Sequence, residues 1–425
     1  MILLYGLIFF ALLISGIPIV FVLGITSLIT LGLFSSTPLL IIPEIMYNAL
    51  ASFPLMAIPF FVIAAEFMAR GGSSKYLINA ANAVVGFLPG GLAIVCVLCS
   101  MVFAAICGSS VATALAMGVI IIPAMMERGY PQSFSSGLVA ASGTMGILIP
   151  PSIPLILYGI MADESIPKLF LAGFLPGFLQ GGLYIAWILF YSKKMNYRGE
   201  STRSSKEIGT AFFKAIPALC LPVVVIGGIY TGFVTVTEAA ALGAVAAIFI
   251  SLVVYRECRV QDMIKITAQS MKSAGMIMFI ISTAIVFGTW LTQEKIPAQL
   301  VEYIQQLKIS WWGFLLLINI MLLILGMFLE VVSIMLITLP ILLPMVKAFG
   351  IDPIHFAIIV TVNMELALIT PPVGLNLYVL SNVSKTPLSL VVKGVSPFII
   401  LSLIHLSIVT YWPTLSLYLP RLLMK

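Results

Sequence analysis

Two Pro-Pro pairs are the residues of this sequence that point most directly to chemistry. Pro150-Pro151 and Pro371-Pro372 each stand inside a long apolar stretch. A proline has no amide hydrogen and excludes the preceding residue from helical geometry, so each pair breaks a helix and leaves carbonyl groups without their helical donors. In a bilayer such carbonyls persist only where they are buried in protein or line a cavity. There they can coordinate Na⁺, while half-helix N-termini can face an anion.

A short run of small or polar residues precedes each Pro-Pro pair. Residues 107–113 read CGSSVAT and residues 326–333 read GMFLEVVS, with apolar sequence on both sides of each run. A helix that enters the bilayer and turns back needs such a turn, so we predict re-entrant helical hairpins over about 90–126 and 311–346. Each hairpin tip is expected to meet the broken helix of its own half.

The broken helices are predicted over about 134–163 and 354–384. A lone proline kink is more often a packing feature, but two breaks at matching positions, each facing a polar tip, favour two sodium sites that flank one substrate pocket. Na⁺ is the only metal ion expected, and no other cofactor is. The predicted sodium-binding residues are Gly108, Ser109, Ser110, Gly143, Gly146, Pro150, Gly326, Leu329, Glu330, Val332, Met364, Ala367 and Thr370. The predicted substrate-binding residues are Thr113, Ser152, Ser333 and Asn376.

Acidic side chains inside membrane segments are costly and are treated as functional by default. Glu330, at the second tip, and Glu365, before the second Pro-Pro pair, are the strongest candidates. They would attract the cation or cap the broken helix ends. For Glu66 and Glu238 we favour structural hydrogen bonding.

The elements that must hold these residues are membrane helices. Of the 425 residues, 61% are hydrophobic and 8% are charged, whereas a soluble protein carries about 25% charged residues. Long runs contain no charge at all, among them residues 1–43, 76–126 and 394–420. A spanning helix needs about 20 apolar residues, which predicts about 11 to 14 membrane segments. The fold class expected is therefore an all-α polytopic membrane protein.

The chain also repeats itself. The two Pro-Pro pairs are 371 − 150 = 221 positions apart, and the same offset superposes Pro123 on Pro344, Gly129 on Gly350, Gly173 on Gly394 and Pro176 on Pro397. Apolar matches arise by chance in such a sequence. Matched prolines and glycines do not, because they mark particular backbone features. Duplicated halves with broken helices are typical of secondary transporters.

The repeat divides the chain into a first half at 1–198, a polar connector at 199–211 and a second half at 212–425. The basic segment 256–272 has its counterpart at 35–51, which contains no Lys or Arg, so we predict that the repeats are inverted. The basic residues around the connector place it in the cytoplasm: Lys193, Lys194, Arg198, Arg203, Lys206 and Lys214.

Five segments resemble one known family. They are Ser52–Phe61 (SFPLMAIPFF), Gly108–Ala114 (GSSVATA), Gly146–Ile153 (GILIPPSI), Thr237–Ala241 (TEAAA) and Glu365–Leu377 (ELALITPPVGLNL). Spread over nearly the whole length, they resemble the large membrane subunit, of DctM type, of tripartite ATP-independent periplasmic (TRAP) transporters. Cys107 and Ala65 depart from the family, which often has Ser and Gly there.

The resemblance implies an elevator-type architecture, in which a transport domain with the hairpins moves against a scaffold of arm helices. It implies a multi-pass protein of the bacterial inner membrane that works with a separate small membrane subunit of about four helices and a periplasmic substrate-binding protein. It also implies sodium-driven uptake of an organic acid anion, of the sialic acid or C4-dicarboxylate type.

Two other functions are weighed against this one. A self-sufficient ion-coupled carrier would transport without a binding protein, which the family-like segments disfavour. A membrane enzyme such as an intramembrane protease would need paired aspartates, a serine with a base, or a histidine-based metal site inside the bilayer. The chain has two histidines and no such pair, so we do not expect an enzyme.

Overall fold

The computed structural model describes residues 8–13, 15–34, 38–197, 199 and 204–424, and the regular elements in this part of the chain are helices. Arg198, Glu200 and Arg203 of the connector region lie outside the described residues. In the first half the helices are α1 (Ile19–Phe34), α2 (Ile41–Leu50), a 3₁₀ turn (Phe53–Met56), α3 (Ala57–Arg70), α4 (Ser73–Val85), α5 (Gly91–Cys107), α6 (Ser110–Glu127), α7 (Gln132–Thr144), a 3₁₀ turn (Met145–Ile147), α8 (Ile153–Ala162) and α9 (Ile166–Lys194).

The second half follows the connector. Its helices are α10 (Ser205–Tyr230), α11 (Val236–Phe249, extended by a π-helical turn at Ile250–Val254), α12 (Val260–Gln293), α13 (Ile296–Gln306), α14 (Trp311–Gly326), α15 (Val331–Ala348), α16 (Pro353–Ala367), α17 (Leu375–Ser384), α18 (Leu388–Tyr411) and α19 (Pro413–Leu423).

The repeat offset of 221 carries one set of helices onto the other. It superposes the α5–α6 hairpin on α14–α15, the broken helix α7–α8 on α16–α17, and α9 on α18. Both Pro-Pro pairs lie in the breaks, and both contain a cis peptide bond. Equivalent glycines behave alike, since Gly129 and Gly350 both have positive φ, +81° and +67°. Two residues 221 positions apart are called equivalent below.

The two halves pack on each other reciprocally. Helix α6 of the first hairpin packs on α17, and its equivalent α15 packs on α8. In the same way α7 packs on α18 and α16 on α9, while α3 packs on α11 and α12 on α1. Each of these contacts between halves therefore has its counterpart, as a pseudo-two-fold relation requires. A single buried apolar core runs through both halves.

Length and composition assign the membrane elements. Eight helices of the described chain are long and apolar enough to cross a membrane, and they include α9, α10, α12 and α18. Five shorter apolar helices accompany them: α1, the first helix of each hairpin (α5 and α14), and the broken-helix segments α8 and α16. The short helices thus fall mainly where the chain turns back or breaks. The predicted fold class, an all-α membrane protein with two related halves, hairpins and broken helices, is confirmed.

Local sequence explains where these helices begin and end. Helix α5 stops at Gly108, whose φ of +58° is the left-handed conformation that glycine adopts without steric cost. Helix α6 restarts two residues later because the Ser109 hydroxyl accepts a hydrogen bond from the Ala112 amide. Helix α11 begins with a capping box, in which Thr235 and Glu238 satisfy each other's backbone amides.

Candidate functional site

The first hairpin tip is a sharp turn made by Gly108 and Ser109. The amide of Gly108 closes α5 by donating to the Ala104 carbonyl at 3.0 Å. Beyond the turn, the Thr113 hydroxyl donates to the Ser109 carbonyl at 2.8 Å. This tip is therefore held by its own backbone and by the Thr113 hydroxyl group.

The first tip lies directly against the first helix break. A methyl group added to Gly108 would lie 2.7 Å from the Pro151 carbonyl oxygen, and one added to Gly146 would lie 2.7 Å from the Ser109 carbonyl oxygen. Pro150 has no amide hydrogen to give to the Gly146 carbonyl four residues before it. The Ile147 carbonyl would lack its donor for the same reason, but it accepts a hydrogen bond from the Ser152 hydroxyl at 2.5 Å. Main-chain oxygens of the tip and of the break thus face each other across glycines.

The second tip meets the second break in the same manner. The Val373 amide, just after Pro371-Pro372, donates to the Met327 carbonyl at 3.3 Å. Gly326 is equally restricted, since a methyl group there would clash with the Ala367 side chain. The exposed Glu330 caps α15 by position, and the Ser333 hydroxyl donates to its carboxylate at 3.5 Å.

Both tips and both breaks line one cavity of about 90 Å³. Ten of its thirteen lining residues form five equivalent pairs: Ser109 and Glu330, Ser110 and Val331, Val111 and Val332, Ile147 and Leu368, Pro154 and Leu375. The other three are Gly108, Ile153 and Ile277. The cavity therefore lies between the two halves, about the pseudo-two-fold axis that relates them.

Asn376 joins the two halves beside this cavity. It is fully buried in α17 of the second half, and its amide nitrogen donates to the Ser110 hydroxyl of the first tip at 2.8 Å and to the Ala140 carbonyl at 3.2 Å. Its amide oxygen has no hydrogen-bond partner among the described residues. A buried amide oxygen without a donor is costly. A bound ligand that donates a hydrogen bond to this oxygen would remove that cost.

The predicted site residues fall into two sets. Gly108, Ser109, Ser110, Glu330 and Val332 line the cavity. The remaining predicted residues do not line the cavity and lie in the tips, the breaks and the helices beside them: Gly143, Gly146, Pro150, Gly326, Leu329, Met364, Ala367, Thr370, Thr113, Ser152, Ser333 and Asn376. Thr113, Ser152 and Ser333 are buried and their hydroxyls bond within their own segments.

Sequence reasoning missed several lining residues. Ile147 and Leu368, and Pro154 and Leu375, are equivalent pairs, so the repeat offset itself could have identified them. Ile277 lies in α12 and has no signal in the sequence, because an isoleucine within a long apolar helix looks like any other. Its position shows that α12 contributes to the wall of the cavity that both tips line.

The four membrane acids differ in their surroundings. Glu66 forms an ion pair with Arg70 at 3.0 Å, and Glu238 belongs to a capping box, so both have structural partners. Glu365 is 1% exposed and its two carboxylate oxygens have no hydrogen-bond partner among the described residues. Glu330 alone of the four reaches the cavity.

The two residues that depart from the family pattern contact each other. The Cys107 thiol lies 3.8 Å from the Ala65 carbonyl oxygen, which it meets as a donor. Both residues are buried, Cys107 at the end of α5 and Ala65 in α3. The departures therefore concern how the first hairpin packs on α3, directly before Gly108 of the cavity wall.

Comparison with known proteins decides the family. The model for the DctM component of tripartite ATP-independent periplasmic transporters matches residues 7–415. The chain belongs to this family. It is therefore a large permease subunit of the TRAP type, a multi-pass protein of the bacterial inner membrane, and a transporter subunit, not an enzyme.

Relatives of known name agree with this assignment. The TRAP permease is 43% identical over 399 residues to the C4-dicarboxylate TRAP transporter large permease protein DctM of Pseudomonas aeruginosa, covering 94% of this chain and 93% of that one. It is 35% identical to the sialic acid TRAP transporter large permease protein SiaM of Vibrio cholerae, covering 97% and 96%. The Alcanivorax borkumensis YdaH transporter shares the fold, with a TM-score of 0.61 at 14% identity over 88% of this chain and 87% of that one.

Proposed function

We propose that this TRAP permease is the transport subunit of a sodium-driven importer of small organic acid anions. The observation that carries the proposal is the shared cavity, in which both hairpin tips and both helix breaks meet in equivalent pairs. Broken helices at membrane depth supply unwound carbonyls for Na⁺ and helix N-termini for an anionic group. The names of the C4-dicarboxylate and sialic acid relatives point to the same class of solute.

The chemistry of the available donors suits Na⁺. The groups around the two tips are oxygens: the Ser109 and Pro151 carbonyls, the Ser110 hydroxyl and the Glu330 carboxylate. Hard cations prefer such ligands over nitrogen and sulfur. No cluster of three or more His, Cys, Asp or Glu side chains occurs in the described chain, so a transition-metal site is not favoured. One sodium site would form at each tip and break, on the residues predicted from the sequence.

The substrate carboxylate would bind between the two sodium sites. Helices α6 and α8 begin beside the cavity at Ser110 and Ile153, and their N-terminal amides favour an anion. Asn376 lies beside this position, where its unpaired amide oxygen would accept a hydrogen bond from a hydroxyl group of the substrate and would not contact the carboxylate. Thr113, Ser152 and Ser333 would act by holding the tips and the first break in shape.

The cavity has room for about three water molecules at the ~30 Å³ that each occupies in the liquid. We therefore propose that it enlarges during an elevator cycle, in which the hairpins and broken helices move against a scaffold that includes α12. The inverted arrangement of the two halves would make the outward-facing and inward-facing states structurally similar. Sodium binding would organise both tips before the domain moves.

The proposal includes two protein partners. A separate small membrane subunit of about four helices would pack on the scaffold. A periplasmic substrate-binding protein would deliver the organic acid and carry much of the selectivity. A self-sufficient carrier is the competing function, and the two differ in whether the binding protein is needed.

The test is uptake of radiolabelled succinate and sialic acid into proteoliposomes that contain the permease and its small subunit. Four conditions are compared, with and without an inward sodium gradient and with and without the cognate binding protein. The proposal expects uptake that needs both. Full uptake with potassium in place of sodium would refute the coupling, and sodium-driven uptake without the binding protein would establish the self-sufficient carrier instead.

A further inference from the structure

Helix α4 lies along one end of the helix bundle. At its start, the Lys75 ammonium lies 3.5 Å from the Glu257 carboxylate in the loop between α11 and α12. Just past its end, the Phe87 carbonyl is in close contact with Gly199 of the connector. Because the loop and the connector both belong to the basic end of the molecule, α4 begins and ends there. It therefore runs along the membrane surface instead of crossing the bilayer, on the side that the positive-inside rule makes cytoplasmic.

A basic cavity of about 740 Å³ opens between α4 and the start of α10. Its charged lining comprises Lys75, Lys206, Lys214 and one acid, Glu207. The Glu207 carboxylate is engaged in capping α10, where it accepts from the Ser204 amide at 3.1 Å. All three lysines are exposed, so the cavity presents an excess of positive charge together with hydroxyl and amide groups.

An apolar groove adjoins the basic cavity on the same two helices. It encloses about 210 Å³ and is lined by α4, α5 and α10, through residues such as Ala81, Val84, Leu98 and Phe212. Val84 and Phe212 are 48% and 51% exposed, which leaves this surface uncovered by the described chain. A basic, polar cavity at the membrane surface therefore leads into an apolar groove on the bilayer side.

We propose that this composite site binds an anionic phospholipid of the cytoplasmic leaflet. The phosphate and its neighbouring headgroup oxygens would occupy the basic cavity, and one acyl chain would lie in the apolar groove. Charge complementarity selects the occupant, since basic pockets between membrane helices at the cytoplasmic surface recognise anionic headgroups. A zwitterionic lipid or an apolar protein helix would fill the groove without neutralising the lysines. The proposal does not depend on which solute or ion the permease transports.

The site also has a structural consequence. Helix α4 connects α3 to the first hairpin, so a lipid bound there contacts the segment that leads directly to the first tip. It would fill the gap between the hairpin helix α5 and α10 of the second half. Binding should thus raise the thermal stability of the purified permease.

The test is native mass spectrometry of the purified permease with phosphatidylglycerol or phosphatidylcholine of identical acyl chains. We expect the wild-type protein to favour phosphatidylglycerol. The double variant Lys206→Gln/Lys214→Gln should lower the ratio of bound phosphatidylglycerol to bound phosphatidylcholine about 30-fold, from about 1 kcal/mol per lysine. The matched control is Lys265→Gln/Lys272→Gln in α12, which removes the same charge outside the cavity and should leave the ratio unchanged.

A second variant tests the groove separately. Ala81→Phe fills the apolar groove and keeps every charge, so it should weaken binding of both lipids several-fold without changing their ratio. Melting temperatures in lipid-free detergent show whether each variant is folded, and only folded variants enter the comparison.

Four outcomes would overturn the proposal. The first is equal binding of the two lipids by the wild-type protein. The second is an equal loss of the preference for phosphatidylglycerol in the Lys265/Lys272 control. The third is thermal protection by inorganic phosphate alone that is as large as the protection by phosphatidylglycerol. The fourth is loss of the small membrane subunit from the double variant while phosphatidylglycerol binding is unchanged, which would assign this face to that subunit.

Discussion

The two tip-and-break units follow one backbone path but are built from different residues. In the first unit, Gly108, Gly143 and Gly146 bring backbone segments into contact, and no side chain stands between the Ser109 carbonyl and the break. The chain can approach itself this closely only where no Cβ is present. The contacts between the tip and the break of the first unit are therefore formed mainly by main-chain atoms.

In the second unit the equivalent positions carry side chains. Leu329, Met364 and Ala367 replace the three glycines, and Glu330 replaces the tip serine. Close approach is retained at Gly326, whose equivalent position in the first half is not a glycine. The second unit supplies a charge where the first supplies packed carbonyls. The first unit should therefore be sensitive to added volume, and the second to lost charge or lost hydrogen bonds.

The largest effect is expected for Gly146→Ala in the first unit. The new methyl group would lie 2.7 Å from the Ser109 carbonyl oxygen, so the tip must move away from the break. Such overpacking costs about 1–3 kcal/mol and would displace the carbonyls proposed to bind Na⁺. Sodium-driven uptake should fall more than about 10-fold, by the free-energy scale of the contact.

Gly182→Ala is the matched control, because a methyl group on that α9 glycine meets nothing within 4 Å. It should leave both uptake and the melting temperature unchanged. Wild-type uptake by Gly146→Ala would show that the tight contact at the first tip has no functional role.

The next effect concerns the link between the units. Asn376→Ala removes both hydrogen bonds to the first half and leaves the buried Ala140 carbonyl without that donor. The loss should destabilise the protein by about 1–3 kcal/mol and reduce uptake more than Ser110→Ala, which removes one partner only. Thermal unfolding in detergent and proteoliposome uptake measure the two effects.

Asn48→Ala, at an exposed position of α2, serves as the control. Equal uptake and equal melting temperatures of the two asparagine variants would exclude a special role for the link.

A smaller, selective effect is expected at the second tip. Glu330→Gln keeps the shape of the side chain but removes its charge from the cavity, so the sodium concentration for half-maximal uptake should rise about 5- to 10-fold, as for loss of a charge interaction of about 1 kcal/mol. The maximal rate should change less. Ser109→Ala at the equivalent position should instead lower the melting temperature, because removing an N-cap costs about 1 kcal/mol.

Glu302→Gln, on the exposed surface of α13, controls for a general loss of negative charge. If Glu330→Gln and Glu302→Gln give the same sodium dependence, the second unit does not use its carboxylate to attract the cation.

The smallest effect is expected outside both units. Glu66→Gln breaks the ion pair with Arg70, which lies one helical turn away. Both side chains of this pair are partly exposed. Such a pair contributes about 0.3–0.5 kcal/mol, so the melting temperature should hardly change and the sodium dependence should not change at all. A marked shift in sodium dependence would place Glu66 in the transport machinery and end its assignment as a structural residue.

Much of the fold follows from the sequence because its cues are local. Proline and glycine act on their own segments of backbone, so Gly108 ends α5, Pro150-Pro151 and Pro371-Pro372 break their helices, and one offset aligns both halves. The near absence of charge dictates a bilayer environment whatever the tertiary arrangement. These features determine where the tips and the breaks occur, independently of how the helices pack.

The tertiary structure alone decided which distant segments meet. Nothing in the sequence pairs Asn376 with Ser110, 266 residues away, or selects Ile277 from the apolar positions of α12 as a wall of the cavity. The flat course of α4 is equally invisible, since its amphipathic pattern suits several orientations. The physical reason is that apolar side chains are interchangeable in hydrocarbon. Composition and spacing therefore determine that helices form and where they break, while packing between them determines what each one faces.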